Sequence, residues 1–347
     1  MDATRALRRL EEVYAIGSGP GATRLTGSPE EDEAHDLARG WLEEAGLEIE
    51  VDPAGNLFGR SPATPGASTL PEVWTGSHLD SVPQGGKFDG PLGVVAAIEA
   101  VERTGRGTVA VFRGEEVGCI GSHARVERGG LPDAFLEVHI EQGPRLAAAN
   151  APLGIVTGIV GYARGEVVVE GVAGHAGTTP METRSDALVE AARRILGLEE
   201  EARRWPGAVA TVGRIAAEPG GVNVIPGRVR FSVDVRAPDR ERLDALIAFA
   251  GIDDSQVTAP VDMSPLVLDA LRGEIEERGL PVVELASGAG HDAGVLAGAA
   301  VPSGMLFVRS LNGGISHSPD ELSSEEDVAL AIEVLTGVLA RLAAKPS

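Results

Sequence analysis

The stretch Thr75–Gly90, TGSHLDSVPQGGKFDG, sets one histidine and two aspartates (His78, Asp80, Asp89) among four glycines. Imidazole and carboxylate bind divalent metals and move protons, and glycine lets the backbone turn tightly around them. The same residue types recur at four more places. VFRGEEVG carries Glu115 and Glu116, and AFLEVHIEQG carries His139, Glu141 and Gln142. SGAGHDA carries His291 and Asp292, and GGISHSPDE carries His317. The chain has seven histidines (His35, His78, His123, His139, His175, His291 and His317), and four of them follow or end apolar, strand-like runs. A lone histidine is more often structural than a ligand. Their joint placement at strand ends, where open α/β sheets bind ligands, points to a metal site.

Imidazole and carboxylate without thiolate suit zinc, manganese, cobalt or nickel. His78, His139 and His317 with Asp89 and Glu116 make five candidate ligands. Five is too many for one open zinc site and about right for two ions that share a bridge. Asp89, with two oxygens in a glycine-rich turn, suits the bridge. Asp80, two residues after His78, suits the orientation of its imidazole. The side chains of Glu115 and Glu116 must diverge, so one can bind metal while the other stays free to carry a proton.

These residues need elements to hold them. EVWTGS, GTVAVFRG, AFLEVHI, PVVELA and GMLFVRS read as strands. PLGVVAAIEAVERTG, HDAGVLAGAA and the tail SSEEDVALAIEVLTGVLARLAA read as helices, the last capped by Ser323 or Ser324. Strands apolar throughout and alternating with helices predict an α/β fold, a mostly parallel sheet flanked by helices. The middle differs. RGEVVVEG, AVATVGRI, GRVRFSVDVRAP and SQVTAPV are strand-like, and the two segments beginning at Asp186 and Asp239 are helical. The order β-α-β-β-α-β predicts an inserted ferredoxin-like α+β domain over residues 156–262, with 1–155 and 263–347 forming a discontinuous metal-binding domain. SPATPGAST, from Ser61, reads as a surface loop.

Composition bounds the chemistry. The chain has 347 residues, 43% of them hydrophobic, and a net charge of −22. That field repels nucleic acid and anionic membranes, and an anionic substrate would need a local cation. The single cysteine, Cys119, forms no disulfide within the chain and reads as buried filler rather than a nucleophile. The first residues, MDATRALRRLEEVYAIG, form an amphipathic helix pattern without an apolar signal core, and no apolar run spans a bilayer, so cytoplasm is the expected compartment.

Seven motifs in order, TGSHLDSVPQGGKFDGPLGV, EEVGCIGSHA, EVHIEQGPRL, GVAGHAGTTPM, NVIPGRVRFSVDVR, SGAGHDA and GISHSPDE, resemble the hydantoinase/carbamoylase family of dinuclear metal-dependent amidohydrolases. This branch of the aminoacylase-like metallopeptidase superfamily includes N-carbamoyl-L-amino acid hydrolases, allantoate amidohydrolases and β-ureidopropionases. The resemblance implies that His78 and His139 hold one metal, Glu116 and His317 the other, and Asp89 bridges them. It implies Glu115 as general base beside Asp80, and His175 as the group that polarises the carbonyl. It further implies substrate contacts from Gln142, His175, Asn223, Arg236, Gly290 and His291, with Arg236 clamping the substrate carboxylate. A hydroxide bridging the ions would attack the ureido carbon. The inserted domain would serve as lid and dimerisation surface, with His175 and Asn223 reaching a neighbouring subunit. Only 22 residues separate Glu116 from His139, where the resemblance implies several dozen more. The nearest rival is a metal-dependent aminoacylase or dipeptidase cleaving an ordinary amide. An inactive dimeric binding protein and a Cys119 hydrolase stand further off.

Overall fold

A computed structural model describes residues 3–62, 71–252 and 257–344. Most of the Ser61–Thr69 loop, and Ser255 and Gln256 at the head of the last expected strand, lie outside the described residues. The chain folds as two compact units, Met1–Gly158 with Asp262–Ser347, and Ile159–Val261.

The first unit opens with helices α1 (Thr4–Ala15) and α2 (Pro29–Glu44) and strands β1 (Glu48–Val51), β2 (Leu57–Arg60) and β3 (Val73–His78). Helix α3 (Pro91–Thr104), β4 (Thr108–Phe112), α4 (Ile120–Arg128), β5 (Ala134–Ile140), the single turn α5 (Arg145–Ala148) and β6 (Leu153–Ile159) follow. Local signals set several of these ends. Ser28 accepts a hydrogen bond from Glu31 N at the start of α2, with Pro29 in the first turn and Glu30, Glu31 and Asp32 stabilising its N-terminus. Helix α3 is buried along its first eleven residues, apolar but for Glu99, because it is packed between the sheet, α1 and the chain's last long helix (Glu325–Leu342).

The second unit contains β7 (Gly161–Glu170), β8 (Gly174–His175), α6 (Ala187–Arg204), β9 (Val209–Thr211), β10 (Ile215–Glu218), β11 (Val224–Ile225), β12 (Arg228–Ala237), α7 (Arg240–Ala250) and β13 (Val257–Thr258). Its main sheet runs β10-β12-β7-β13, with β9 also on β12, and every pairing is antiparallel. Asp186 and Asp239 cap α6 and α7 through their side chains. AVATVGRI holds the short strand β9, and only its last residue, Ile215, opens β10; both strands pair with β12. Alternation along β7 and β12 buries one face only, under α6 and α7.

The chain then re-enters the large sheet through β14 (Val261–Asp262), α8 (Pro265–Glu277), β15 (Glu284–Ser287), α9 (Asp292–Gly298), β16 (Ser303–Val308) and α10 (Glu325–Leu342). Ser324 is the α10 cap. The sheet order is β1-β2-β4-β3-β5-β16-β6-β14, with β15 on β6. It is parallel at its centre, where β4, β3, β5 and β16 lie side by side, and antiparallel at its flanks. That is the α/β sheet expected from the apolar strands. Strand β15 starts three residues after Pro281, which has no N–H to give a ladder. Helices α2, α4 and α8 and strands β1, β2 and β6 fall outside the expected elements.

Candidate metal centre

The four central strands point their carboxyl ends to one side. His78 ends β3, Glu115 and Glu116 follow β4, His139 lies near the end of β5, and the chain after β16 runs to His317. Gly90 caps α3 with φ +82°, and a Cβ there would sit 2.6 Å from the His78 ring, so the turn carrying Asp89 closes only with glycine.

Two groups of ligand atoms result, each within 4.8 Å: His78, Asp89 and His139, and Asp89, Glu116 and His317. Asp89 belongs to both. Its Oδ1 lies 3.8 Å from His78 Nε2 and 3.1 Å from His139 Nε2, and its Oδ2 lies 3.4 Å from His317 Nε2. His317 Nε2 is 3.5 Å from Glu116 Oε2. Ligands about 2.0–2.2 Å from a shared tetrahedral ion stand roughly 3.4 Å from each other, so the spacing fits.

The hydrogen bonds agree with that fit. His78 Nδ1 is 3.2 Å from the Asp80 carbonyl and carboxylate, and His139 Nδ1 is 3.0 Å from the Ile140 carbonyl. In the neutral ring each Nδ1 would therefore carry the proton and leave the Nε2 lone pair for a cation. His78 Nε2, His139 Nε2 and Glu116 Oε1 are buried without a hydrogen-bond partner. Buried polar atoms rarely stay unsatisfied, and a cation in each group would satisfy them.

Asp80 is buried and fully engaged. It accepts from Thr26 Oγ1 (2.7 Å), Glu115 N (3.1 Å) and Glu116 N (3.3 Å) as well as facing His78. It thus fixes the main chain of both glutamates along with the imidazole. Glu115 Oε2 lies 3.7 Å from His78 Nε2, and Oε1 lies 3.7 Å from His291 Nδ1. Burial pushes the Glu115 carboxyl well above its usual range, and Asp292 adds to the rise against the pull of His78. Such a carboxyl, placed beside the ligands and bonded to neither, can take up and release a proton.

The other expected contacts divide between the units. Gln142, at φ +55°, donates from Nε2 to Asp89 Oδ2 (2.8 Å) and Ser316 Oγ (3.1 Å), so it is held against the shared carboxylate. His291 packs against His139 and meets Ser287 Oγ through Nε2, while its Nδ1 is unpartnered. A third ligand-like group, Glu137, His139 and His291, lies beside these. Glu137 is already committed to Ser77 Oγ and Ala293 N. Gly290 is exposed, and a Cβ there would meet nothing. In the second unit His175, on β8, accepts at Nδ1 from Gly177 N (3.0 Å), which places its proton on Nε2 when neutral. Asn223 is exposed and its carbonyl accepts from Ala176 N. Arg236 Nε donates to Asp234 (2.9 Å). Cys119 is buried, and burial pushes its thiol pKa up, which suits filler rather than a nucleophile.

Residues 74–341 match the model of peptidase family M20/M25/M40. The chain belongs to this family. It is 38% identical to an N-carbamoyl-L-amino acid amidohydrolase of Geobacillus stearothermophilus over 405 aligned positions, covering 98% of each chain. It is 32% identical to an allantoate amidohydrolase of Bacillus subtilis (strain 168), covering 95% of each. In structure it superposes on a hydantoinase/carbamoylase family amidase from Burkholderia multivorans with a TM-score of 0.89 at 31% identity, covering 100% of this chain and 99% of the other. The hydantoinase/carbamoylase resemblance read from the motifs is thereby borne out. The 405-position alignment exceeds this chain's 347 residues, so the Geobacillus relative carries segments absent here. Between Glu116 and His139 this chain has only the nine-residue α4 as a helix.

Three participants escaped the sequence reading. Thr26, bonded to Asp80, carries no signal of its own. Glu137 does, as an acid inside the apolar AFLEVHI, two residues before His139 and so on the same face of β5. Glu321 stands four residues beyond His317 within the SHSPDE motif already singled out.

Proposed function

We propose that this chain hydrolyses the ureido C–N bond of an N-carbamoyl-L-amino acid or a related ureido acid such as allantoate, with two divalent ions (zinc, manganese, cobalt or nickel) held at the Asp89 site. The broader class, a hydrolase of non-peptide carbon–nitrogen bonds, follows the family and the relatives at 38% and 32% identity. The observation that carries the reading is the pair of ligand groups sharing Asp89, with unpartnered ligand atoms in each. His78 and His139 would hold one ion, Glu116 and His317 the other. Ions there would polarise the substrate carbonyl and activate a water.

The chain's own residues do the rest. Glu115 takes the proton of the attacking water and returns it to the departing nitrogen. Asp80 keeps the His78 ring and the Glu115–Glu116 main chain in register. Gln142 and His291 border the reacting carbon. His175, its proton on Nε2, donates to the developing oxyanion, and Arg236 meets the substrate carboxylate as the local cation an acidic chain requires. The released amino acid leaves with one ammonia and one carbon dioxide, which balances the ureido group plus water.

The inserted unit acts in this reading as lid and homodimer surface. Metal analysis followed by paired assays tests the whole. Ammonia from N-carbamoyl amino acids or allantoate, abolished in Glu115→Gln with metal content intact, is the expected result. Amine release from N-acyl amino acids with no ammonia from any ureido acid would overturn it in favour of an aminoacylase.

A further inference from the structure

We propose that Glu321 is a positioning residue that clamps the two loops carrying Asp89 and His317, and so sets the affinity of the ion between Asp89, Glu116 and His317. The inference rests on the two-ion reading above. Glu321 is 6% exposed and uses both oxygens. Oε2 accepts from the main-chain N–H groups of Phe88 (3.2 Å) and Asp89 (3.3 Å). Oε1 accepts from Ser316 Oγ (2.9 Å) and from the main-chain N–H of His317 (3.1 Å). One carboxylate thus ties together main chain from two loops far apart in sequence, each bearing a ligand.

His317 needs such a hold. Its φ is +53°, a region disfavoured for any residue but glycine, and its side chain is 52% exposed, so packing alone does not place it. Ser316 extends the clamp sideways, standing 3.3 Å from Asp89 Oδ2 and accepting from Gln142 Nε2. Room for the carboxylate comes from Gly86, where a Cβ would collide with Glu321. Chemistry makes the choice of glutamate strict. Four donors converge on two oxygens, and only an ionised carboxylate accepts on both sides. Glutamine fills the same volume but turns an NH2 group toward main-chain N–H donors on one side or the other.

The test uses full-length wild-type, Glu321→Gln and Gly86→Ala proteins, stripped of metal by chelation and titrated with Co2+. Calorimetry reads stoichiometry and affinity, and the cobalt d–d absorption reads each ion's coordination. Wild type should take up two ions. Both variants should bind the ion at Asp89, Glu116 and His317 about 10- to 100-fold more weakly and lose clearly less affinity for the other ion, which shares Asp89 but takes its histidines from strands Glu321 does not touch, with the larger spectral change in the weakened increment. Should Glu321→Gln not fold, Gly86→Ala carries the same expectation. Two ions bound with wild-type affinity in the folded variants, or both ions weakened equally, overturns the inference while leaving the two-ion reading intact. Wild-type protein that takes up fewer than two ions overturns that reading, and the inference with it.

Discussion

Apart from His317, whose side chain is 52% exposed, the two units treat their candidate site residues in opposite ways. In the first, His78, Asp80, Asp89, His139 and His291 are all buried, and hydrogen bonds hold each ring or carboxylate in one orientation. In the second, His175 and Asn223 are exposed, and Arg236 is half-buried against Asp234. The difference fits the roles proposed for the two sets of residues. Metal ligands work when they are rigid and dry, with no rearrangement left for the moment of reaction. Groups that meet a substrate have to be reachable by it, and water covers them until then. Damage to the candidate ligands of the first unit, or to the groups that orient them, should therefore show in metal content and stability as well as turnover, and damage to the second unit in the kinetic constants alone.

The largest effect belongs to Glu115→Gln. Loss of the proton carrier should cut kcat by about 10^2–10^4-fold while metal content, read by elemental analysis, stays at the wild-type level. Retained turnover would remove Glu115 from the chemistry. Next comes His175→Ala, for which kcat should fall about 10^2–10^3-fold with Tm and metal content unchanged. A lowered Tm there would blur the contrast between the units.

Asp80→Ala should sharpen it. The His78 ring loses the carboxylate and keeps only the residue-80 main-chain carbonyl, and two main-chain N–H groups lose their acceptor, so metal affinity should fall about 10- to 100-fold, together with a lower Tm. Chelator competition and thermal unfolding measure the two. Arg236→Lys keeps the charge but loses the planar fork, so KM for carboxylate-bearing substrates should rise roughly tenfold with kcat nearly constant. An unchanged KM would place the carboxylate elsewhere.

His35 supplies the smallest and most general check on the buried unit. Neither ring nitrogen has a hydrogen bond, and burial, helped by the Arg113 charge, lowers its pKa to about 3. A depressed folded pKa means stability that is present above the ordinary value near 6.5 and lost as the pH falls toward 3. At pH 5.5 wild type should have lost roughly 1.4 kcal/mol to this group, a loss absent in His35→Leu. Denaturant titrations at pH 7.5 and 5.5 measure it. Equal acid sensitivity in both proteins would show that His35 is protonated without cost.

Much of this was legible in one dimension. The apolar runs announced the parallel strands, because a strand covered on both faces has no polar side to show. Histidines and acids at the ends of those runs announced the centre, and AGHAGTTP with SVDVR marked the exposed residues of the insert. Helix α2, written EEDEAHDLARGWLEE after its proline, escaped because charge masks its single buried stripe. AVATVGRI deceived by reading as one strand over its whole length, since alternation does not show where pairing stops: Val209–Thr211 is strand, and only Ile215 at its end belongs to the next.

What the sequence determined by itself is the inventory: which side chains can bind a cation or carry a proton, and that each stands where a strand gives way to a loop. That much is local, set by alternation, glycine and proline over a few residues. What tertiary structure alone decided is the pairing. It assigned Asp80 to three partners at once, turned Gln142 onto Asp89, and brought Glu321 between two ligand loops. Those contacts join segments separated by up to hundreds of residues, and they form only when adjacent strands of one sheet bring their ends together.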